Sequence, residues 1–279
     1  MKKITQSFII EMRDYLNGGS CGHIIREKWI NDRLLGEGSK AVKLGAYFEY
    51  IFTEMMLGKG KGSLPKDGKI PQPEMMASGK DMLAPYRLAH VNAERLKNYF
   101  DLMGIKILSA GERLTKGKFE GTLDLICQAT KDISWSNGMK WLSGYRFVTD
   151  LKYAGTIDDK WSPYGWGQMT IDYQGSFISP QKAIHGTQAI QYHYITGLPF
   201  YFMVISSTND IDVKFFKVEV TKDHTTKHIA EGNDLFEKLK FYNEIGWEPR
   251  PEISKCAECP LKIACNDKAI YPQIEIVNL

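Results

Sequence analysis

Two short segments of this 279-residue chain each carry an acid into an apolar setting, Glu120-Gly-Thr-Leu-Asp124-Leu-Ile126 and Phe147-Val-Thr-Asp150-Leu-Lys152. Both read as strands, rich in β-branched and aromatic residues. Side chains alternate along a strand, so Asp150 and Lys152 share one face while Leu151 turns the other way into the core. Carboxylates hold hard cations such as Mg²⁺ or Mn²⁺, and an amine beside them meets the attacking water and the phosphate. That combination is what metal-assisted hydrolysis of a phosphodiester needs. An isolated Asp-x-Lys is more often a surface ion pair of little energetic consequence. The case for chemistry therefore rests on what accompanies it.

Three further residues accompany it. Gln188 and Tyr192 are four apart in Gln188-Ala-Ile-Gln-Tyr192 and share a face of a predicted helix, where they could close over a metal site or a DNA strand. An ordinary amphipathic helix gives the same spacing. Glu49 lies on an apolar helical stripe from Leu44 to Phe52, with Gly45, Ala46 and Phe52 as neighbours. A carboxylate buried there needs a metal or a lysine partner; one that reaches solvent does not. His185 and His193, on or near the same helix as Gln188, read as polar surface or satisfied core residues.

The five cysteines are an odd count and suit ligation better than a disulfide framework. Cys256-Ala-Glu-Cys259-Pro-Leu-Lys-Ile-Ala-Cys265 places three thiols within ten residues. The fourth ligand of a tetrahedral set would be Cys21 or Cys127. Cys127 sits in the apolar run of the Asp124 strand and reads as a buried core thiol, which leaves Cys21.

The elements that must position these residues follow from periodicity. Thr5 to about Leu57 reads as helical, and a second long helix runs from about Pro85 to Met103, with Gly104 as its stop. From Ile105 the pattern turns to strands, punctuated by Gly111, Gly117 and Gly121. The Asp150 strand follows, then a Gly-, Pro- and Trp-rich connection, a helix over Gln181 to Thr196, and a hairpin of Phe200–Ser206 and Ile211–Val220 around Thr208-Asn209-Asp210. A last helix spans about Thr225 to Tyr242. Residues 1–104 form a helical part, 105–220 a core sheet, and 221–279 a helix with the cysteine group, all in one domain. The fold class is α/β, a central mixed sheet flanked by helices.

Composition excludes little: 43% of residues are hydrophobic and the net charge is +3, so attraction to polyanions must come from local patches. The clearest such patch is Lys59, Lys61, Lys66 and Lys69, between Gly58 and Pro71, with Asp67 as its only acid. It reads as a solvated loop or as a DNA clamp. Trp135, Trp141, Trp161 and Trp166 flank the Asp150 strand and either pack loops or stack on splayed bases. No apolar segment reaches the roughly 18 residues a membrane span requires, which predicts a cytoplasmic protein with no membrane partner. Gly58-Lys-Gly-Lys-Gly-Ser lacks the ending of a phosphate loop, and there is no Gly-x-Ser-x-Gly elbow.

Gly121-Thr-Leu-Asp124, then Asp150-Leu-Lys152, then Gln188-x-x-x-Tyr192 resemble the motifs of PD-(D/E)XK nucleases, the last being similar to the signature of the RecB-type and phage exonuclease subgroup. The resemblance implies a restriction-endonuclease-like core in which Asp124, Asp150 and the main-chain carbonyl of Leu151 bind Mg²⁺ or Mn²⁺. Glu49, in a Gly-x-x-x-Glu pattern, would be an added ligand, Lys152 would orient or deprotonate the water, and Gln188 and Tyr192 would complete the site. Position 150 carries Asp where many relatives have Glu. Cys21 with the late Cys256, Cys259 and Cys265 resembles the 4Fe-4S arrangement of CRISPR-associated and AddB-type nucleases, which joins the two ends of the chain; zinc suits the same thiols. The implied activity is that of a DNA exonuclease of recombination, repair or phage DNA metabolism, with DNA and a recombination or helicase protein as partners. A non-catalytic DNA-binding or scaffolding module on the same fold is the alternative.

Overall fold

The computed structural model describes the chain apart from residues 1–2, 34–38, 66–67, 136–137, 156, 158–169, 172–176, 179, 209–211 and 269–279, and gives the backbone alone for 170–171, 177–178 and 180–185. Three helices open it, α1 (Gln6–Leu16), α2 (Gly22–Trp29) and α3 (Lys40–Leu57), followed by α4 (Ala84–Met103). Strands β1 (Ile105–Lys116), β2 (Phe119–Ala129), β3 (Ile133–Ser134), β4 (Lys140–Trp141), β5 (Arg146–Ala154), β6 (Thr170–Ile171) and β7 (Phe177–Ile178) come next. Helix α5 (Pro180–Thr196), strands β8 (Phe200–Ser206) and β9 (Val213–Val218), and helices α6 (Lys222–Ile245) and α7 (Ile253–Ala257) complete the order.

Two compact units divide the chain, one spanning Gly38–His228 and the other assembled from Lys2–Glu37 and Ile229–Leu279. The first holds a five-stranded sheet in the order β1-β2-β5-β8-β9. Its β5–β8 pair is parallel and the other pairs are antiparallel. Every residue of β8 is buried, as the near-continuous apolar run Phe-Tyr-Phe-Met-Val-Ile requires of a strand covered on both faces. One face packs Leu125, Cys127, Phe147, Leu151, Tyr201 and Met203 against Phe48, Phe52, Leu96 and Phe100 of α3 and α4. The other packs Ile126, Val148, Phe202 and Val204 against Ala189 and Tyr192 of α5.

The second unit gathers both ends of the chain around aromatic contacts. Phe8 meets Trp29 and Phe236 edge-on, and Tyr15 meets Tyr242 and Trp247. Arg13 grips Glu231 with two N–H donors at 2.9 and 2.8 Å.

Several boundaries differ from the sequence reading. Gly111 and Gly121 do not break strands; β1 and β2 run through them, and Gly117 alone sits at the turn. The last strand is shorter than expected and α6 longer, because the polar ends of these elements carry no periodic signal. The tip of the hairpin, Asn209 and Asp210, lies outside the described residues. Trp141 is 1% exposed and packs with Trp135, Tyr145, Phe147, Tyr201 and Phe215, so Trp141 is core and the partly buried Trp135 packs against it, while Trp161 and Trp166 lie outside the described residues.

Candidate active site

The β2–β5 ladder pairs Gln128 with Arg146, Cys127 with Phe147, Ile126 with Val148 and Leu125 with Thr149, and there it ends. One further step in the same register would set Asp124 opposite Asp150, two like charges face to face, a pairing that antiparallel strands disfavour. The strands part instead, and the Asp124 Oδ2 left in the gap accepts the backbone N–H of Leu151 at 2.9 Å. Opposed positions of an antiparallel pair project to the same side of the sheet, so both carboxylates face α5 together with Lys152.

Asp150 is 2% exposed. Its Oδ1 accepts from the Gln188 side-chain amide, and its Oδ2 lies 2.5 Å from Lys152 Nζ. Apart from that ion pair, Oδ2 is shielded from solvent with no hydrogen-bond partner. Glu49 joins them from α3: its charge acts on Asp124, Asp150 and Lys152, and its Oε1 accepts the Ser63 hydroxyl at 2.6 Å. Ser63 is itself fixed, its N–H donating to Thr53 Oγ1 at 2.7 Å. Nothing in the sequence pattern singles out Ser63. The one available clue was that a buried Glu49 would need a donor.

Three carboxylates thus share a small volume with one ammonium. Burial pushes the Asp124 carboxyl well above the usual carboxylate range, and the charges of Asp150 and Glu49 push further; Lys152 and the Leu151 N–H offset only part. Burial also raises Glu49, against the Ser63 hydrogen bond and Lys152. For Lys152, burial pulls downward, but Asp150, Asp124 and Glu49 outweigh it and the ammonium holds its proton more firmly than usual. A carboxylate-rich cluster with, among the described residues, one ammonium to balance it is a site that a divalent ion would relieve, and a buried oxygen such as Asp150 Oδ2, paired with Lys152 alone, suits a hard-cation ligand.

Helix α5 closes the site. Tyr192 is 4% exposed and donates its hydroxyl to the Thr122 carbonyl at 2.7 Å, which anchors the helix to β2 beside Asp124. Gln191, which the sequence reading passed over, is fully buried; its Nε2 donates to the Glu120 carbonyl at 2.6 Å and its Oε1 pairs with His228 Nε2 at 3.1 Å. Helical spacing alone gives no sign of that role. His193 Nδ1 meets the Leu198 carbonyl at 2.8 Å, away from the acids, and the side chain of His185 lies outside the described residues. The close approach of Tyr192 is why β2 carries glycine at 121: an added Cβ would stand 2.7 Å from Tyr192 Cε1. Gly121→Ala is expected to cost about 1–3 kcal/mol by overpacking, read in denaturant unfolding, as the ring is driven off β2.

The fold is similar to that of a solved structure, the crystal structure of a protein from Eubacterium rectale described as a "Putative exonuclease", with a TM-score of 0.59 and 17% identity over 98% of this chain and 91% of that one. The likeness is one of fold: a central five-stranded mixed sheet flanked by helices. No family model and no curated protein matches the chain.

The predicted cysteine ligands lie in the second unit. Cys21, Cys256, Cys259 and Cys265 are half-buried, in no disulfide, and line one cavity of about 260 Å³. Cys21 Sγ accepts the Arg250 N–H and Cys259 Sγ the Leu261 N–H, both at 3.4 Å. Arg250, Lys255, Lys262 and Lys268 line the same cavity, together with Glu258 and Asp267. Cys127 is elsewhere, fully buried in the sheet, where burial pushes its thiol up and leaves it inert. Among the described residues no group of three or more His, Cys, Asp or Glu side chains is placed to hold a metal ion, and no helix is long and apolar enough to cross a membrane.

Proposed function

We propose that the chain is a divalent-metal-dependent deoxyribonuclease of the PD-(D/E)XK type, acting as an exonuclease on DNA. The observation that carries this reading is the fork between β2 and β5, which gathers Asp124, Asp150 and Lys152 with Glu49 and Gln188. Asp124, Asp150, Glu49 and the Leu151 carbonyl would hold Mg²⁺ or Mn²⁺, which supplies Lewis-acid activation of the phosphodiester. Lys152, kept protonated by its acidic neighbours, donates hydrogen bonds to the attacking water or to a phosphate oxygen and balances the charge that develops there. Gln188 holds Asp150 in place, and Tyr192 keeps α5 against β2. The four cysteines would hold a 4Fe-4S cluster, with zinc as the lesser alternative, and this group would tie the two ends of the chain within the second unit. The exonuclease form rests on the Gln188-x-x-x-Tyr192 signature.

End-labelled linear and closed circular DNA, incubated with the purified protein in Mg²⁺, Mn²⁺ or EDTA, tests the reading. Metal-dependent release of label from linear DNA alone is expected. Cleavage of neither substrate would sink the enzyme reading and favour a DNA-binding module on this fold.

A second test needs no DNA. A carboxyl whose pKa is raised on folding stabilises the protein below its unfolded value and loses that contribution as pH climbs through the folded value. For Asp124 the loss begins above the ordinary aspartate pKa of 3.8. In EDTA its contribution should therefore fall from acid to neutral pH. At pH 8, Mn²⁺ at a hundredfold excess over Kd should raise Tm by about 5–10 °C, and Asp124→Asn should remove most of that gain. Equal Tm in Mn²⁺ and EDTA at pH 8 would argue against a cation among these acids.

A further inference from the structure

The connection between α3 and α4 is tied down near both of its ends. At its start, Ser63 is pinned to Thr53 and Glu49 of α3. At its end, residues 74–83 form a small hairpin: Met75 bridges Met82, Met76 N–H donates to the Asp81 carbonyl at 2.7 Å, and Leu83 N–H donates to the Glu74 carbonyl at 2.8 Å. The hairpin is seated on the core through Met82 and Leu83, and Met82 Sδ accepts the hydroxyl of Tyr47, two residues before Glu49. The first anchor therefore rests on a site carboxylate and the second on the same helix.

The surface held up by these anchors is unusual for a monomer. Leu64, Ile70, Met75 and Met76 are 45%, 53%, 46% and 45% exposed, four of the eleven large exposed hydrophobic side chains among the described residues. Isolated exposed apolar residues are ordinary, whereas a cluster on one ordered segment marks a binding surface. Lys59, Lys61, Lys69 and Lys80 stand exposed among them, while Glu74, one of the segment's two described acids, is turned to the Tyr86 hydroxyl. Exposed apolar side chains and cations in one stretch of chain match a polyanion that also presents apolar faces. A base-paired duplex hides those faces in its stack; an unpaired strand exposes them.

We infer that residues 58–65 and 68–83 form a docking surface for the unpaired end of a DNA strand, with Met75, Met76 and Leu64 against unstacked bases and Lys59, Lys61 and Lys80 on phosphates, delivering that strand to the carboxylates through the Ser63 anchor. The inference rests on the nuclease reading for its substrate, and its test is separable from it. Fluorescence anisotropy in EDTA would compare a labelled single-stranded oligonucleotide with the blunt duplex of the same sequence, while hydrolysis of bis(p-nitrophenyl) phosphate in Mn²⁺ reports the site alone. Met75→Ser with Met76→Ser should weaken single-strand binding by roughly tenfold and leave duplex binding and small-substrate hydrolysis within about twofold. Lys59→Ala with Lys61→Ala should reduce the salt slope of single-strand binding by about 0.7 per lysine. Single-strand affinity unchanged in the methionine variant, or both DNA forms weakened equally, overturns the inference and leaves the patch to a protein partner. A wild-type protein that binds the strand in this manner without hydrolysing the small phosphodiester defeats the nuclease reading and spares the docking surface.

Discussion

Asp150→Asn is expected to lower metal-stimulated DNA cleavage by about 10³-fold or more while the protein stays folded. Asparagine keeps the shape and can still accept from Gln188 through its carbonyl, so packing changes little. What is lost is one of three negative charges facing a single ammonium. A hard cation draws its affinity from that charge, and the buried, otherwise unpartnered Oδ2 becomes an amide nitrogen that cannot ligate. Without metal the variant should be less stable than wild type, because its amide nitrogen faces the Lys152 ammonium that Oδ2 had paired, and relief of repulsion with Asp124 and Glu49 offsets only part of that loss. Lys152→Ala should lose about 10²–10⁴-fold in kcat with a smaller change in metal affinity, since its part is to meet the water or phosphate. Single-turnover cleavage of end-labelled DNA, with Mn²⁺ affinity measured by calorimetry, separates the two. An Asp150→Asn protein that cleaves at the wild-type rate would end the hydrolase assignment.

Cys256→Ser carries the second large effect. Four half-buried thiols around one cavity fit a thiolate-bound group, and a serine hydroxyl is a poor ligand for iron or zinc. Anaerobically purified wild type should be brown and contain iron. The variant should be colourless and should unfold at a Tm lower by about 10 °C or more, because ligation free energy is also folding free energy. Stoichiometric zinc in the wild type would exchange the group without moving the site. A colourless wild type with neither metal would remove it. Cys127→Ser, in the sheet core, should leave the metal content unchanged.

Much of the site was legible because it is encoded at short range. Alternation on β5 fixes Asp150 and Lys152 to one side, and the four-residue spacing of Gln188 and Tyr192 sets them on one face of α5. The long elements announced themselves by period, and Gly104 does cap α4. The unread parts depend on partners far apart in the chain. Ser63 reaches Glu49 across fourteen residues, and Gln191 reaches Glu120 and His228 on other elements. Glycine is ambiguous for the same reason: at 121 it answers the ring of Tyr192, seventy-one positions away, and at 111, with φ of +62°, an added Cβ would lie 2.9 Å from the Ser63 hydroxyl. Local reading sees in both only a break. Trp135 and Trp141 take the packing role that the sequence reading offered beside base stacking, against Tyr201 and Phe215.

The discontinuous unit has a consequence for how the protein comes off the ribosome. Phe8, Arg13 and Tyr15 find their partners in Phe236, Glu231, Tyr242 and Trp247, which follow the whole sheet in the order of synthesis. At about 5–20 residues per second, the leading helices wait roughly 10–40 s with those rings uncovered while the 191 residues of Gly38–His228 emerge. The opening segment is therefore the natural client of a holdase, and the nascent chain is more exposed to aggregation and proteolysis than the finished one.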